Sequence, residues 1–286
     1  MSAGVAFASP GDVVRAIGSA REVAFAAYLL NPTGSVARGL EAAADRGASV
    51  SVTLEAFADR PPANALRRLA ERTARDLRAH GVDVRLGVPG GDTVHLKAAV
   101  VDGTAFLDDR NWSAAGETIV ATTRPAEVAA VRAAIDGTTG RAGDLATEKE
   151  PALELEAEAI RSGSGDTIDV ETESFGACAV SAALRARAQA GDHVRLLVSG
   201  RIASAGRSER ERALLRRLAA AGVEVRTTEA NEKLCVAGDR GWVGSANATF
   251  DLVPTTDWGL ATNDPALVAQ LAATFSHEWE VARPFH

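Results

Sequence analysis

Several residue types are scarce in this sequence, and each shortage excludes a class of protein. Two cysteines, Cys178 and Cys235, make neither a disulfide scaffold nor a zinc site. The longest apolar stretch without charge, residues 23–37, contains asparagine, proline and glycine and is too short to span a bilayer. Residues 1–14 lack the basic start and the apolar run of a signal peptide. We therefore expect a cytoplasmic protein without a transmembrane segment.

Lysine and histidine are also rare. Of the 31 basic residues, 28 are arginine and only three are lysine (Lys97, Lys149 and Lys233), and there are five histidines. Acidic residues outnumber basic ones, which gives a net charge of −7. This balance argues against nucleic acid as a partner, because nucleic-acid binding relies on a basic surface that neutralises phosphates. The positions of the few lysines and histidines are therefore informative.

The two halves of the chain repeat each other. The matched segments are 36–54 with 180–198, 81–85 with 222–226, and 121–129 with 261–269. Their order is kept and the offset falls only from 144 to 140, so a chance origin is improbable. We predict two tandem repeats, residues 1–147 and residues 148–286, each of ordinary domain size.

Within a half, patterns typical of strands alternate with patterns typical of helices. Predicted strands cover residues 23–30, 50–54, 82–86, 94–101 and 104–107. Predicted helix faces lie within residues 36–43, 66–77 and 128–135. The alternation predicts the α/β class, with a mixed β-sheet flanked by helices in each repeat.

The segment 94–102 carries the most evident chemistry. Residues two apart on a strand face the same side, so His95, Lys97 and Ala99 are predicted to share one face. A lysine gathers phosphate oxygens, and it keeps a neighbouring imidazole neutral and nucleophilic near pH 7. Taken alone, such a pair also fits a half-exposed strand end with two polar residues.

The pattern is longer than this pair, and it recurs in the second half. The first half reads H-x-K-x4-D at 95–102 and D-D-R-N at 108–111, and the second reads N-x-K-x4-G at 231–238 and G-S-A-N at 244–247. This arrangement resembles the phospholipase D superfamily, whose signature is H-x-K-x4-D followed by G-S-x-N, once in each half of a pseudo-symmetric chain. The resemblance covers nearly the whole protein.

The resemblance implies two repeats related by a pseudo-twofold axis, whose motifs meet in one active site without metal or cofactor. One histidine attacks phosphorus and forms a phosphohistidine, and the other protonates the leaving group. Residues that match the family's catalytic roles are His95 as nucleophile, Lys97 and Lys233 as a cationic clamp, and Asn111 and Asn247 as hydrogen-bond donors. Ser245, Asn231 and Asp102 complete the predicted substrate-binding set, and Glu117 or Asp257 is predicted to orient a histidine.

The sequence departs from the family pattern in each half. Asn231 replaces the second histidine, and an amide neither titrates near neutrality nor attacks phosphorus. Losing a general acid costs about 10²–10⁴ in rate, least for a leaving group that is already stable as an anion. In the first half, Asp108 and Asp109 replace Gly-Ser, and a carboxylate about 4 Å from a phosphate oxygen repels it by about 4 kcal/mol at an effective dielectric of 20.

Three alternatives stay open for this aspartate pair. The carboxylates point into solvent or onto an arginine, or they bind a cationic part of a substrate or replace the missing acid, or phosphate no longer binds there. The main hypothesis is a phosphodiesterase or phosphatidyltransferase that acts on a small phosphodiester or a phospholipid headgroup. The alternatives are a pseudoenzyme retained for binding and a nuclease-type member, and a homodimer is left open.

Overall fold

The computed structural model describes residues 4–56, 64–89, 92–112, 118–200, 209–229, 231–250 and 254–285. The chain divides into unit 1, residues 1–149 with 253–258, and unit 2, residues 150–252 with 259–286. The short segment 253–258 lies in the second half of the sequence and yet forms part of unit 1. The predicted repeat boundary between residues 147 and 148 stays a prediction.

Helices and strands alternate along much of the chain, as the sequence pattern predicts. The helices are α1 (Pro10–Ser19), α2 (Ser35–Asp45), α3 (Asn64–Ala79), α4 (Pro125–Ile135), α5 (Lys149–Ser162), α6 (Ala179–Ala190), α7 (Glu209–Ala220) and α8 (Pro265–Val281). The first strands are β1 (Val5–Ala8), β2 (Glu22–Ala27), β3 (Ser49–Leu54), β4 (Asp83–Leu86), β5 (Thr93–Val94), β6 (Ala98–Val101), β7 (Thr104–Asp108), β8 (Ile119–Thr122), β9 (Arg141–Ala142) and β10 (Leu145–Ala146). The others are β11 (Thr167–Thr172), β12 (His193–Ser199), β13 (Glu224–Thr228), β14 (Leu234–Ala237), β15 (Arg240–Gly244), β16 (Thr255–Thr256), β17 (Gly259–Thr262) and β18 (Arg283–Pro284).

Unit 1 is built on a mixed sheet with the strand order β1-β8-β7-β6-β2-β3-β4. Strands β2, β3 and β4 run parallel, whereas β6, β7 and β8 are antiparallel to their neighbours. Every residue of β2 after the first is buried, as expected for a central strand covered on both faces. The core of this unit includes Ile17, Phe25, Leu40, Val52 and Leu77.

Six strands of unit 2 repeat the arrangement of six strands of unit 1: β13, β12, β11, β14, β15 and β17 correspond to β4, β3, β2, β6, β7 and β8. The strands of unit 2 follow the order β18-β13-β12-β11-β14-β15-β17. Strands β11, β12 and β13 are parallel, and β14, β15 and β17 are antiparallel to their neighbours. The predicted α/β class with mixed sheets and flanking helices is therefore correct, and the matching strand orders agree with the internal repeat.

The prediction of one continuous strand over residues 94–101 is wrong. Strand β5 ends at Val94 and β6 begins at Ala98, so residues 95–97 belong to neither strand. The two strands have different partners: β5 pairs in parallel with β16, whereas β6 pairs antiparallel with β2. Because the chain changes partner here, it must leave the sheet between them, and the motif residues lie at this crossover.

The longest helix of unit 2, α8, shows how the helices are fixed. The Asp264 carboxylate caps it by accepting from the backbone N–H groups of Ala266 and Leu267, and the apolar face buries Leu271 and Phe275. None of the helices in the described part of the chain combines the length and the apolar character needed to cross a bilayer.

Candidate active site in unit 1

The pairing of β5 with β16 brings together two residues that are distant in sequence. The register joins Thr255 to Thr93 and Thr256 to Val94, so the next residues, Asp257 and His95, emerge side by side. Oδ1 of Asp257 lies 2.6 Å from Nδ1 of His95. The Thr255 hydroxyl donates to the other carboxylate oxygen at 3.0 Å. Both oxygens of Asp257 are therefore engaged.

The carboxyl of Asp257 stays ionised. Burial raises its pKa, but the charge of His95, the hydrogen bond from that ring, and the charges of Lys97 and Lys149 outweigh burial, so the pKa of Asp257 lies well below the usual carboxyl range. An ionised carboxylate can only accept a hydrogen bond. Nδ1 of His95 must therefore carry a hydrogen, and in the neutral form of the ring the lone pair lies on Nε2.

Lys97 lies against the same imidazole. Its Nζ is 3.1 Å from Nδ1 and 3.0 Å from Nε2 of His95, although only 2% of the residue is exposed. The Tyr28 ring contacts both: it meets the His95 ring at 63° with centroids 5.0 Å apart, and its centroid lies 5.6 Å from the Lys97 ammonium. An aromatic face stabilises a nearby cation without neutralising its charge, so Lys97 can still attract an anion.

The backbone around these side chains is held by hydrogen bonds. Glu55 accepts from the Val94 N–H at 2.6 Å, and the His95 N–H donates to the Thr93 carbonyl at 3.0 Å. The indole N–H of Trp258, the residue after Asp257, donates to the Asp108 carbonyl at 2.8 Å. A site supported in this way is pre-organised for the reacting group.

The arrangement suits nucleophilic attack on an anion. The His95 side chain is 23% exposed, whereas the Asp257 side chain beneath it is only 3% exposed. Solvent and substrate can therefore reach the imidazole, while the carboxylate stays shielded and interacts strongly with it. In the described part of the chain, no three side chains of the His, Cys, Asp or Glu types lie together as a metal site.

The predicted substrate contact at Asp102 is wrong. Strand β6 separates Asp102 from the motif lysine, so the two residues lie at opposite ends of that strand. There the Asp102 carboxylate accepts from the backbone N–H groups of Arg21 and Glu22 at 2.9 to 3.1 Å. Asp239 has the same role in unit 2, because it accepts from the N–H and hydroxyl of Ser164 before β11. The motif aspartate is therefore a turn residue.

Gly238 stands where the motif has its aspartate, and packing explains why. It adopts φ of 59°, and a Cβ there would lie 2.3 Å from the backbone nitrogen of Gly165. Only glycine fits this close approach, so the capping carboxylate moves one position along, to Asp239. The departure from the pattern at this position is structural and does not touch the chemistry.

The aspartate pair of unit 1 is buried and bound within the fold. Asp108 accepts from the Trp112 N–H at 2.7 Å, and Asp109 accepts from the Thr118 N–H at 2.9 Å. The Arg110 Nε lies 3.9 Å from the second oxygen of Asp109. Neither carboxylate points into solvent, so within the first alternative the solvent-facing arrangement is excluded, whereas the contact with an arginine agrees with the position of Arg110.

The motif of unit 2 has different surroundings. The buried Lys233 ammonium donates to the Asn231 carbonyl at 3.1 Å, and it lies 3.8 Å from the Glu173 carboxylate. Oδ1 of Asn231 has no hydrogen-bond partner among the described residues. The lysine charge in unit 2 is thus matched by a carboxylate.

Strand pairing gives the correspondence between the two motifs. Ala99 and Cys235 each lie two residues after their motif lysine, and they pair with Phe25 and Val170 respectively. Phe25 and Val170 are therefore equivalent positions of the two sheets.

Three residues further along, Tyr28 of unit 1 corresponds to Glu173 of unit 2. The same position thus places an aromatic ring beside Lys97 in one unit and a carboxylate beside Lys233 in the other. The sequence analysis missed both residues. The signal available was the single tyrosine of the chain, at the end of a buried strand.

The remaining predicted residues are less informative. Asn247 accepts from the Ser174 N–H at 3.2 Å, and Ser245 is fully buried. Asn111 is half-buried, and its Oδ1 has no hydrogen-bond partner in the described ranges. Glu117 lies outside the described residues. The roles predicted for these side chains in substrate binding stay predictions.

Comparison with known proteins supports the sequence resemblance. Residues 157–279 match a family described as cardiolipin synthase, PLD-like domain. The fold is similar to phosphatidylserine synthase from Haemophilus influenzae Rd KW20, with a TM-score of 0.69, 10% identity, and coverage of 98% of this chain and 87% of that one. It is also similar to polyphosphate kinase from Porphyromonas gingivalis, with a TM-score of 0.66 and 18% identity over 97% of this chain. The chain spans about half (50%) of the length of that kinase. No curated protein sequence matches this chain.

Proposed function

We propose that this chain, which matches a PLD-like domain over residues 157–279 and has a fold similar to a phosphatidylserine synthase over nearly its full length, cleaves a small phosphodiester through a phosphohistidine at His95. The observation that carries the proposal is the grouping of His95, Lys97 and Asp257 in unit 1. It combines a nucleophile, a cation and an orienting carboxylate.

In the first step, the Nε2 lone pair of His95 forms a bond to phosphorus. The phosphorus–oxygen bond to the leaving group breaks, and the electron pair leaves with that oxygen. Asp257 holds the hydrogen on Nδ1 and stabilises the positive charge that the ring acquires. Lys97 offsets the charge on the non-bridging phosphate oxygens.

In the second step, water attacks phosphorus and the phosphorus–nitrogen bond breaks. The ring nitrogen recovers its electron pair, and the products are a phosphomonoester and a proton. An alcohol in place of water would give a transferase. We propose hydrolysis as the basal reaction, because water is always present. The reaction needs no metal, so chelators should leave turnover unchanged.

The leaving group should already be stable as an anion. Asn231 stands where the family has its second histidine, and an amide cannot deliver a proton. A phenolate or a pyrophosphate leaves without protonation, whereas an alkoxide does not. The protein should therefore prefer activated diesters over simple dialkyl phosphates.

A pseudoenzyme is the second candidate, and one observation favours it. Lys233 has a carboxylate neighbour, Glu173, where Lys97 has the Tyr28 ring, which weakens the motif of unit 2 as an anion site. A nuclease-type activity is the third candidate, and the net charge of −7 counts against it. The cytoplasmic location, the phospholipid substrate and the homodimer stay predictions of the sequence.

The test is the turnover of bis(4-nitrophenyl) phosphate by the parent, by His95→Gln and by the matched control His80→Gln. His80 lies in the same unit but on the surface, beside Asp45. We expect His95→Gln to lose at least about 10²-fold in kcat/KM and His80→Gln to equal the parent. Equal turnover by both variants would overturn the role of His95, and no turnover by the parent would support the pseudoenzyme.

A further inference from the structure

Lys149 is the lysine that neither motif accounts for, and it is buried. It begins α5, and only 4% of the residue is exposed, which is as little as for the motif lysine Lys233. Lysine is almost never buried without a partner, because its ammonium loses hydration on leaving water. A buried ammonium at this position therefore needs an anion close by.

Packing places Lys149 beside the segment that carries Asp257. A Cβ at Gly259 would lie 2.8 Å from the Cβ of Ala152, so the first turn of α5 is in close contact with the start of β17. Lys149 is three residues before Ala152 and on the same face of the helix, and Asp257 is two residues before Gly259. Lys149 and Asp257 both belong to unit 1.

The charge of Lys149 acts on the Asp257 carboxylate. Together with His95 and Lys97, it holds the pKa of Asp257 well below the usual carboxyl range. The Asp257 side chain is almost completely buried, so water does little to screen this interaction. Asp257 is therefore the anion that the buried Lys149 requires.

Asp257 has two opposite effects on His95. Its hydrogen bond fixes a hydrogen on Nδ1, but its negative charge also favours the protonated ring. A protonated ring has no lone pair on Nε2 with which to attack phosphorus. Lys97 opposes this protonation from the side of the ring, where its Nζ lies 3.0 Å from Nε2. Lys149 opposes it from the side of the carboxylate.

We propose that Lys149 is a positioning residue for the candidate nucleophile: its ammonium holds the Asp257 carboxylate as an ionised acceptor and offsets part of its charge, so that His95 stays neutral near pH 7. In this role Lys149 acts through Asp257 and does not touch the substrate. The inference rests on the proposed function and adds to it a third lysine, which lies outside both motifs.

The pH dependence of kcat/KM for bis(4-nitrophenyl) phosphate tests this role. Attack needs the neutral ring, so kcat/KM rises with pH as the ring loses its proton. Lys149→Met removes a positive charge, so the ring keeps its proton to a higher pH and the acidic limb should move up by about one pH unit. The variant should thus lose about tenfold on that limb and approach the parent above it. Lys149→Arg should restore the parental profile.

The other titratable groups around the His95–Asp257 pair are the same in the parent and in the variant. They come from the β5–β6 connection, from the ends of β2 and β3, and from β7, and they are Lys97, Tyr28, Glu55 and Asp108. A shift between the two profiles therefore reports the charge of Lys149. The control Arg161→Met removes one positive charge from the last turn of the same helix, where Arg161 is exposed, and should keep the parental profile.

A titration that needs no turnover separates the two proposals. The His95 ring is followed by NMR in protein labelled with ¹⁵N-histidine, and its signal is assigned by its loss in His95→Gln. We expect the midpoint of the His95 titration to be about one pH unit higher in Lys149→Met than in the parent and in Arg161→Met. That shift in a protein that turns over no diester would support the role of Lys149 and remove the hydrolase.

Two outcomes would overturn the inference. One is the same His95 midpoint in the parent and in Lys149→Met. The other is a loss of kcat/KM that is equal at every pH, which is what a purely structural lysine would give. If urea unfolding shows that Lys149→Met does not fold, Lys149→Gln, which keeps a polar chain without the charge, takes its place in both measurements.

Discussion

Oδ1 of Asp257 accepts a hydrogen bond from Nδ1 of His95 at 2.6 Å, although 162 positions separate the two residues in the sequence. The contact depends on the two-residue strand β16, which returns to unit 1 from the second half of the chain. One half of the sequence therefore supplies the proposed nucleophile, and a segment from the other half supplies the carboxylate that accepts from its ring.

Replacing Asp257 by asparagine should lower kcat by about a hundredfold or more and leave KM within about twofold. The amide can donate to Nδ1, which would place the hydrogen on the wrong nitrogen, and it cannot stabilise the charged ring. Steady-state kinetics on bis(4-nitrophenyl) phosphate measures the effect. The control Thr255→Val removes one hydrogen bond to the carboxylate and should cost only several-fold. A D257N enzyme with parental kcat would rule out the orienting role.

Replacing Tyr28 by glutamate should weaken the binding of inorganic phosphate by about a thousandfold. The new carboxylate would lie beside Lys97 as Glu173 lies beside Lys233, and at about 4 Å a carboxylate repels a phosphate oxygen by about 4 kcal/mol at an effective dielectric of 20. The inhibition constant of phosphate against diester turnover reports the change.

The matched control for this variant is Tyr28→Phe, which keeps the ring against His95 and should bind phosphate like the parent. Equal inhibition constants for Y28E and Y28F would show that position 28 does not control the charge of the site.

Replacing Asp102 by alanine should affect stability and leave catalysis intact. Its carboxylate holds the Arg21 and Glu22 N–H groups, so the loss should lower the free energy of unfolding by about 1 kcal/mol. Urea denaturation and kcat/KM are measured on the same preparation. A fall in kcat/KM beyond about twofold, without loss of stability, would restore the substrate-binding role predicted from the motif.

Glu156 should make stability depend on pH. Burial raises the pKa of this α5 carboxyl well above its usual value. The folded protein therefore keeps the proton to a higher pH than the unfolded chain does. Burial of Glu156 therefore lowers the free energy of unfolding in a pH-dependent way. This destabilisation is absent below the unfolded pKa of about 4.3 and grows as the pH rises towards the folded pKa.

Glu156→Gln should therefore gain stability over the parent, and the gain should be larger at pH 8 than at pH 4.5. Urea unfolding at the two pH values measures it. The control is Glu158→Gln, an exposed residue on the same helix that should show no such difference. A gain of the same size at both pH values would mean that Glu156 does not titrate as described.

Much of the fold follows from local sequence patterns, and much of the site does not. The buried strand β2 and the helix face of α3 could be predicted because their hydrophobic periodicity depends only on residues close together in the sequence. The break after Val94 could not, because it depends on pairing with β16, which is formed about 160 residues later. A strand of two residues has no periodicity to detect.

The residues of the candidate site could likewise be predicted only in part. His95 and Lys97 were predicted as a pair because two positions separate them, and the structure places Nζ of Lys97 3.0 Å from Nε2 of His95. Asp102 was misassigned because its spacing from the lysine is fixed by the length of β6, which carries it away from the site. Tyr28 was missed because its contacts depend on the register between β2 and β6.

The most direct measurement of the central claim is the capture of the covalent intermediate. Methyl 4-nitrophenyl phosphate labelled with radioactive phosphorus is mixed with the parent, the reaction is quenched in base, and the labelled peptide is identified by mass spectrometry. We predict label on the peptide that contains His95, in the parent and in His80→Gln but not in His95→Gln. Turnover that continues undiminished in His95→Gln, or turnover by the parent with no phosphohistidine on that peptide, would contradict the account.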